Sequence, residues 1–230
     1  MIVLDLDAVV GFAGAVDGVC VASASIRALR RMPASERDEL ARAHLSPHEI
    51  DRYRALDEFS KRQLEWLGGR LAVKRSIAEL VARSPREIEI RQEGQTRPYV
   101  QPAEIHVAIS HSFDVALGAA APYEIGIDVE LVRPLPAELL EYAFAAGELE
   151  PLGMDDAAVV RLWTMKESFV KMLGLGIPAF DELQLVSSER ERPAWRTRGR
   201  VAQELGARQP RCWAEITSGY AVALTWSETQ

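Results

Sequence analysis

The segment around residue 167 constrains the fold more than any other part of the chain. Its apolar residues recur at helical spacing: Leu162, Met165, Phe169, Met172 and Leu173. This stripe predicts a helix packed on a core, and Gly174, Gly176 and Pro178 predict where the helix ends. Glu167 and Lys171 are four residues apart, so they share one side of that helix. Taken alone, such a pair is more typical of a weak ion pair at the surface.

A second pair of carboxylates lies upstream, in residues 125–130. This segment alternates strictly between apolar and other residues, which predicts a strand with Asp128 and Glu130 on one face, about 7 Å apart along the strand. Two like charges at that spacing favour a cation between them, and carboxylate oxygens suit Mg²⁺, with Glu167 as the third ligand. Gly126 on the same face would leave room for a ligand. The alternative is an edge strand with a solvated face.

A predicted hairpin carries a third group of polar residues. Residues 105–110 and 115–120 read as its two strands, and Ser110, His111 and Ser112 lie where the first strand ends. Hydroxyl, imidazole and backbone amide groups in such a position can bind an oxyanion. Alternatively, these residues and Asp114 only form the turn. A Ser-His-Asp nucleophile is not expected, because no Gly-x-Ser-x-Gly motif is present.

The order of the predicted elements indicates two similar halves. Further helices are predicted near residues 22–32 and 35–43, from Ser46-Pro47 onward, and over residues 58–83, and a strand over residues 1–10. Short apolar segments at residues 87–90 and 182–185 each follow a helix and precede further strands, the second set forming a hairpin around Ser218-Gly219. We therefore expect an α+β fold of two pseudo-symmetric halves, residues 1–122 and 123–230, each a small, mainly antiparallel sheet packed against a long helix.

Charge and composition exclude several classes of protein. The formal net charge of −7 disfavours a non-specific nucleic-acid binder. Two isolated cysteines form neither a disulfide framework nor a Cys-x-x-Cys metal site, which favours a reducing, cytoplasmic setting. The chain has no apolar stretch of about 18 residues, so we expect no membrane span.

Taken together, these motifs resemble the surfactin-type 4′-phosphopantetheinyl transferases. The resemblance covers roughly residues 46–180 and rests on an ordered set of motifs: Arg97-Pro98-Tyr99, residues 109–112, residues 126–130, Phe144 with Glu148, and residues 163–171. It implies an enzyme that moves 4′-phosphopantetheine from coenzyme A to a serine of an apo acyl or peptidyl carrier protein and releases 3′,5′-ADP. Thr96 departs from the family, in which a glycine usually precedes the basic residue and proline. Residues 1–45 carry no family motif.

The resemblance also implies roles for single residues. Asp128, Glu130 and Glu167 match the ligands of Mg²⁺, with Mn²⁺ as a substitute, and Glu167 also matches the proposed base, which acts directly or through a water. Lys171 matches the lysine that contacts the pyrophosphate, so Glu167, Lys171 and Asp128 form the expected catalytic group. The expected coenzyme A contacts, apart from Lys171, are Ser110 and His111 for phosphate, Arg97 and Pro98 for the nucleotide end, and Arg70 with Arg52 for nucleotide phosphate. These contacts lie mainly in the first half and the metal carboxylates in the second, with the coenzyme between the halves. The resemblance further implies a monomer acting in fatty-acid, polyketide or nonribosomal peptide synthesis.

Two other functions fit the same residues. One is a metal-dependent phosphohydrolase, in which water replaces the carrier serine and coenzyme A is cleaved without a carrier. The other is a non-catalytic coenzyme A-binding module, in which Glu167 and Lys171 only pair with each other. The negative charge disfavours long-range attraction to an acidic carrier protein, so docking would need a local basic or apolar surface.

Overall fold

The computed structural model describes residues 16, 18–58, 60–92, 97–100, 105–153, 155–187 and 192–227. The strand expected over residues 1–10 lies outside these residues. The chain divides into two compact units: the described residues within Met1–Gly94 and Pro98–Pro122 form the first, and those within Gln95–Arg97 and Tyr123–Gln230 form the second. Within the described part of the chain, no helix is both long and apolar enough to cross a bilayer.

The first unit contains an antiparallel sheet and one long helix. Its helices are α1 (Ile26–Arg31), α2 (Ala34–His44), α3 (Pro47–Arg54) and α4 (Lys61–Val81). Its strands are β1 (Cys20–Ser25), β2 (Ile90–Arg91), β3 (Tyr99–Val100), β4 (His106–Ser112) and β5 (Val115–Ala121), in the order β1-β5-β4-β3-β2. Helix α4 packs on β1, β4 and β5, and Leu64, Leu67, Val73 and Ile77 of this helix are almost fully buried.

Local sequence explains where these helices begin. Ser46 accepts a hydrogen bond from the Glu49 amide, while the Glu49 carboxylate accepts one from the Ser46 amide, so the two residues form a capping box with Pro47 at the first helical position. The helix expected over residues 22–32 is wrong in its first part, because residues 20–25 pair with β5 and the helix begins only after Ser25. Strand pairing outweighs a local preference for helix here.

The second unit contains a three-stranded antiparallel sheet and a two-stranded one. Its strands are β6 (Glu124–Leu131), β7 (Leu183–Ser187), β8 (Ala194–Thr197), β9 (Arg211–Thr217) and β10 (Tyr220–Ser227), in the orders β6-β10-β9 and β7-β8. Its helices are α5 (Ala137–Ala143), α6 (Asp156–Met172) and α7 (Gly199–Leu205). Ser218 and Gly219 both have positive φ and form the expected two-residue turn between β9 and β10. The expected α+β fold, with antiparallel sheets packed against long helices, is confirmed.

In each unit, the backbone of the long helix packs directly against a glycine of the sheet. A β-carbon on Gly118 of β5 would overlap the backbone of Ala72 and Val73 in α4. A β-carbon on Gly126 of β6 would overlap the carbonyl oxygen of Ser168 and lie 2.5 Å from the amide nitrogen of Met172, both in α6. The space that we expected at Gly126 for a ligand is therefore filled by the helix backbone, because close approach of two backbones requires glycine.

Candidate active site

The centre of the candidate site is an ion pair between α6 and β6. The ammonium of Lys171 lies 2.6 Å from Oδ1 of Asp128 and 3.6 Å from Oε2 of Glu167. Asp128 is 2% exposed and Glu167 is 8% exposed, whereas 30% of the Lys171 side chain is exposed. The interpretation of Glu167 and Lys171 as a surface ion pair is therefore wrong, because the carboxylates are buried and only the lysine reaches solvent.

The local sequence of α6 fixes its two ends. Asp155 caps the first turn by accepting a hydrogen bond from the Ala158 amide at 3.0 Å. At the other end Gly174 has φ +72°, its amide donates to Lys171 O at 3.0 Å, and the Leu175 amide donates to Val170 O at 2.8 Å. This pair of bonds is a Schellman motif, which confirms the helix end that the glycines predicted.

Small residues on the neighbouring strand make room for the site. Ala223 of β10 lies opposite Asp128, and Ala221 lies opposite Glu130. Residues directly opposite in an antiparallel pair share a face of the sheet, so two alanines flank the two carboxylates on the face that α6 covers. The hydroxyls of Thr225 and Ser168 are 2.7 Å apart and join β10 to α6 beside this site.

The site holds three carboxylates and one ammonium, so negative groups outnumber positive ones. The pKa of Glu167 is raised from 4.5 to about 7: burial is the largest cause, the charge of Lys171 opposes it, and the charges of Asp128 and Glu130 add to the rise. Burial lowers the pKa of Lys171, but the charges of Asp128 and Glu167 outweigh burial, and the net direction is upward. A buried carboxyl group that titrates near neutral pH, with named charged neighbours, is typical of a functional site.

The chemistry of these donors fits a hard divalent cation, although their present arrangement does not enclose one. Carboxylate oxygens are the ligands that Mg²⁺ prefers, and Asp128, Glu130 and Glu167 exceed Lys171 by two negative charges. Among the described residues, no three His, Cys, Asp or Glu side chains are arranged to hold a metal ion. Lys171 now supplies the positive charge beside Asp128 and Glu167. The magnesium site stays a prediction, and it requires that Lys171 share these carboxylates with the ion.

The raised pKa of Glu167 predicts a pH-dependent effect of Glu167→Gln on stability. Between about pH 4.5 and 7 the folded state retains a proton that the unfolded chain releases, so the carboxylate lowers the free energy of unfolding as the pH rises. On going from pH 5 to pH 8 in metal-free protein, we expect the free energy of unfolding of Glu167→Gln to rise by roughly 2 kcal/mol relative to that of wild type. Chemical unfolding of both proteins in EDTA at the two pH values measures this gain. If the free energies of unfolding of variant and wild type differ by the same amount at both pH values, the prediction is wrong.

The expected hairpin is present, with β4 extending through Ser112 and a two-residue turn at Phe113 and Asp114. Ser110 is buried, whereas His111 is exposed and its Nδ1 lies 3.8 Å from a carboxylate oxygen of Glu65. Asp114 accepts hydrogen bonds from Arg27 and Arg30 of α1, at 2.7 and 3.0 Å. Asp114 therefore fastens the turn to α1.

Arg97 belongs to the second unit, where it holds the end of α6. Its guanidinium donates to Met172 O and lies 3.7 Å from the Glu124 carboxylate, which also pairs closely with Arg208. Burial lowers the pKa of Arg97, and the charge of Glu124 opposes that shift. Pro98, half-buried, is the next residue and belongs to the first unit.

Arg70 lies inside the first unit, at a buried cluster with Glu49 and Lys74. Its Nε is 3.7 Å from Glu49, its guanidinium stacks over the Trp66 ring at 5.1 Å, and the residue is 3% exposed. Burial lowers the pKa of Arg70 to about 10, while Glu49 opposes that shift. Arg52 of α3 is exposed and adds a like charge that also lowers the pKa of Arg70. Of these two predicted phosphate contacts, only Arg52 presents an exposed side chain.

The structure thus groups the predicted residues by unit. Asp128, Glu130, Glu167 and Lys171 interact with one another in the second unit, which also holds Arg97. The other predicted contacts belong to the first unit: Arg52, Arg70, Pro98, Ser110 and His111. The sequence predicts no role for four further residues that make these contacts: Lys166, Glu148, Glu124 and Arg208. Lys166 and Glu148 lie within the family motifs, whereas no motif or spacing marks Glu124 or Arg208.

The residues of the candidate site lie in a part of the chain that is similar to known proteins. Residues 124–225, which contain β6, α6 and the candidate carboxylates, match the sequence profile of the 4′-phosphopantetheinyl transferase superfamily. Over these residues the chain is similar to members of that superfamily. The resemblance recognised in the motifs is thereby confirmed.

Three individual proteins illustrate this similarity. The 4′-phosphopantetheinyl transferase psf-1 of Bacillus pumilus is 33% identical over 115 residues, which are 47% of this chain and 49% of that protein. The 4′-phosphopantetheinyl transferase ffp of Bacillus subtilis is 26% identical over 166 residues, 68% of this chain and 70% of that protein. A Bacillus anthracis holo-(acyl-carrier-protein) synthase, solved in complex with CoA (3′,5′-ADP), has a TM-score of 0.39 at 21% identity, over 45% of this chain and 92% of that chain. The chain spans about half the length of the first two curated relatives it matches.

Proposed function

We propose that this chain transfers 4′-phosphopantetheine from coenzyme A to a serine of an apo carrier protein and releases 3′,5′-ADP. The observation that supports this proposal most directly is the buried Asp128–Lys171–Glu167 group, which lies within the residues that match the superfamily. The group combines anionic oxygens for a divalent ion with a half-buried cation that can face a pyrophosphate. Transfer of a phosphoryl-type group depends mainly on such positioning and charge stabilisation.

In this proposal Asp128, Glu130 and Glu167 hold Mg²⁺, or Mn²⁺ in its place. When bound there, such an ion would supply positive charge to stabilise the negative charge that develops on the departing 3′,5′-ADP. Lys171 would leave part of its contact with Asp128 and bind the pyrophosphate, because its side chain is more exposed than those of Asp128 and Glu167. Glu167, or a water held beside it, takes the proton of the carrier serine, because a carboxylate at this position can accept a proton within the site.

The remaining predicted residues bind and orient coenzyme A in this proposal. Ser110 and His111 bind a phosphate group at the end of β4, and Arg97 and Pro98 bind the nucleotide end. Arg52, whose side chain is exposed, completes the phosphate contacts, and Arg70 would join them only by leaving its buried place beside Glu49. The partner is an acidic carrier protein, the acting form is a monomer, and its place is the cytoplasm, in keeping with the free thiols of Cys20 and Cys212.

One assay separates this proposal from the two alternatives. The protein is incubated with coenzyme A, Mg²⁺ and several apo carrier proteins. Mass spectrometry then measures the mass of each carrier. Addition of phosphopantetheine to a carrier supports the transferase. Release of 3′,5′-ADP without any carrier would support the phosphohydrolase, and coenzyme A binding with no reaction in either mixture would support the binding module.

His111→Ala should weaken coenzyme A binding without slowing the chemical step. The imidazole is exposed at the end of β4, so its loss removes one phosphate contact and leaves the core intact. We expect the KM for coenzyme A to rise about 10-fold with kcat within about 2-fold of wild type, the size of one lost hydrogen bond to a charged group. Steady-state kinetics measure both values, and Glu65→Gln, which alters only the neighbour of His111, is the control. An unchanged KM would remove His111 from the coenzyme contacts.

A further inference from the structure

The second unit contains a buried ion pair that the proposed chemistry does not use. The ammonium of Lys166, in α6, lies 3.1 Å from a carboxylate oxygen of Glu148 and donates a hydrogen bond to Ala143 O at 2.5 Å. The Lys166 side chain is fully buried, and the Glu148 side chain is 1% exposed. Burial lowers the pKa of Lys166, and the charge of Glu148 opposes that shift.

The pair connects α6 to several other elements of the unit. Glu148 also accepts hydrogen bonds from the amides of Ala145, at 2.8 Å, and Leu185 in β7, at 2.9 Å. The Lys166 ammonium lies over the Phe144 ring at 5.0 Å and the Phe180 ring at 5.9 Å. One side chain of α6 is thus held by the end of α5, the following loop, β7 and the turn before β7.

These contacts determine how α6 is rotated about its own axis. Successive residues of a helix are 100° apart, so the direction of Lys166 fixes the direction of Glu167 and, one turn later, of Lys171. Rotation of the helix would withdraw a buried ammonium from its carboxylate, and a buried charge without its partner is strongly unfavourable. The same pair therefore opposes any rotation that would move Glu167 away from Asp128.

Stability alone does not account for such a pair. A buried ion pair contributes little compared with apolar residues of the same volume, because both charges lose their hydration. The first unit uses the same device, since Lys74 of α4 lies 2.5 Å from the Glu49 carboxylate and donates to Pro85 O at 2.9 Å. In both units a fully buried lysine connects the long helix to surrounding backbone carbonyl groups.

We infer that Lys166 and Glu148 are positioning residues, which hold α6 at the rotation that places Glu167 and Lys171 beside Asp128. This inference rests on the proposed function for its kinetic consequence. Neither residue contacts the reacting groups. Their removal should lower kcat for transfer while the KM for coenzyme A changes little, because the predicted coenzyme contacts other than Lys171 lie outside α6.

The test compares single and double removal of the two charges. Lys166→Met leaves Glu148 buried and unpaired, so we expect the unfolding midpoint to fall by roughly 10 °C. Adding Glu148→Gln removes the second charge. The Ala145 and Leu185 amides donate to different oxygens of Glu148, and Gln keeps only one of them, so part of that loss, but not all of it, should return. The double variant should nevertheless transfer about 100-fold more slowly, with KM within about 3-fold. Lys166→Arg should restore most of kcat.

Val201→Ala is the matched control, since it removes buried volume from the same core without touching the pair. It should unfold at a lower temperature but keep a kcat near wild type. A double variant that regains stability and transfers at the wild-type rate would overturn the inference. If the wild type transfers nothing, the proposed function fails, and amide hydrogen exchange then decides the inference. Faster exchange of residues 164–171 in the double variant than in Val201→Ala would support it, and equal exchange would overturn it.

Discussion

Glu167→Gln is expected to slow transfer about 1000-fold, and Asp128→Asn at least 100-fold, at saturating Mg²⁺ and coenzyme A. Each change removes one negative oxygen from the carboxylates around Lys171 and leaves the volume of the side chain almost unchanged. In the proposed reaction Glu167 loses two roles, metal ligand and base, whereas Asp128 loses one. The larger loss should therefore follow the change at Glu167. Single-turnover transfer to an apo carrier, followed by mass spectrometry, measures both.

The matched control is Asp181→Asn, the same chemical change in the same unit. Asp181 is mostly exposed and pairs only loosely with Arg198, at 3.5 Å, so its charge should not affect transfer. Both site variants should remain folded under the conditions of the transfer assay, which chemical unfolding in the same buffer checks. Transfer near the wild-type rate by either site variant would contradict the assignment of these carboxylates.

Gly126→Ala is expected to cause the largest loss of stability of any single methyl group added to the second unit. The new methyl group would overlap the backbone of α6 at Ser168 and Met172, which cannot move aside as a flexible side chain can. The strand and helix must then separate, at a cost of about 3 kcal/mol or more in the free energy of unfolding, or roughly 10 °C in the midpoint. Transfer should fall as well, because Asp128 and Lys171 lie on the two elements that separate. Thermal unfolding and the carrier assay measure the two effects.

Two further variants provide a parallel case and a control for this prediction. Gly118→Ala should destabilise the protein similarly, because the backbone of α4 approaches β5 in the same way. Gly153→Asn is the control: nothing lies within 4 Å of its added β-carbon, and asparagine tolerates the φ of +61° found there. A midpoint for Gly126→Ala within about 2 °C of wild type would show that β6 and α6 do not pack as closely as described.

Local sequence predicted most of the elements that carry the site. Helix α6, its end at Gly174, the β4–β5 hairpin and the alternating strand β6 all follow from spacing and turn residues within a few positions. Local sequence predicts a helix at residues 22–25, which instead form part of a strand because they pair with residues of β5 that are about 90 positions away. The sequence also predicts space for a ligand at Gly126, since nothing in it shows which backbone covers that residue.

Residue spacing alone predicts that Asp128 and Glu130 share one face of a strand, and that Glu167 and Lys171 share one side of a helix. These are periodicities of the backbone and need no tertiary contact. The pairing of Lys171 with Asp128, the burial of Arg70 beside Glu49 and the contact between Lys166 and Glu148 follow instead from the packing of distant segments. Burial and charge pairing depend on which elements pack together, so residue spacing cannot reveal them. The same burial raises the pKa of Glu167 and so makes a common helical pair a candidate base.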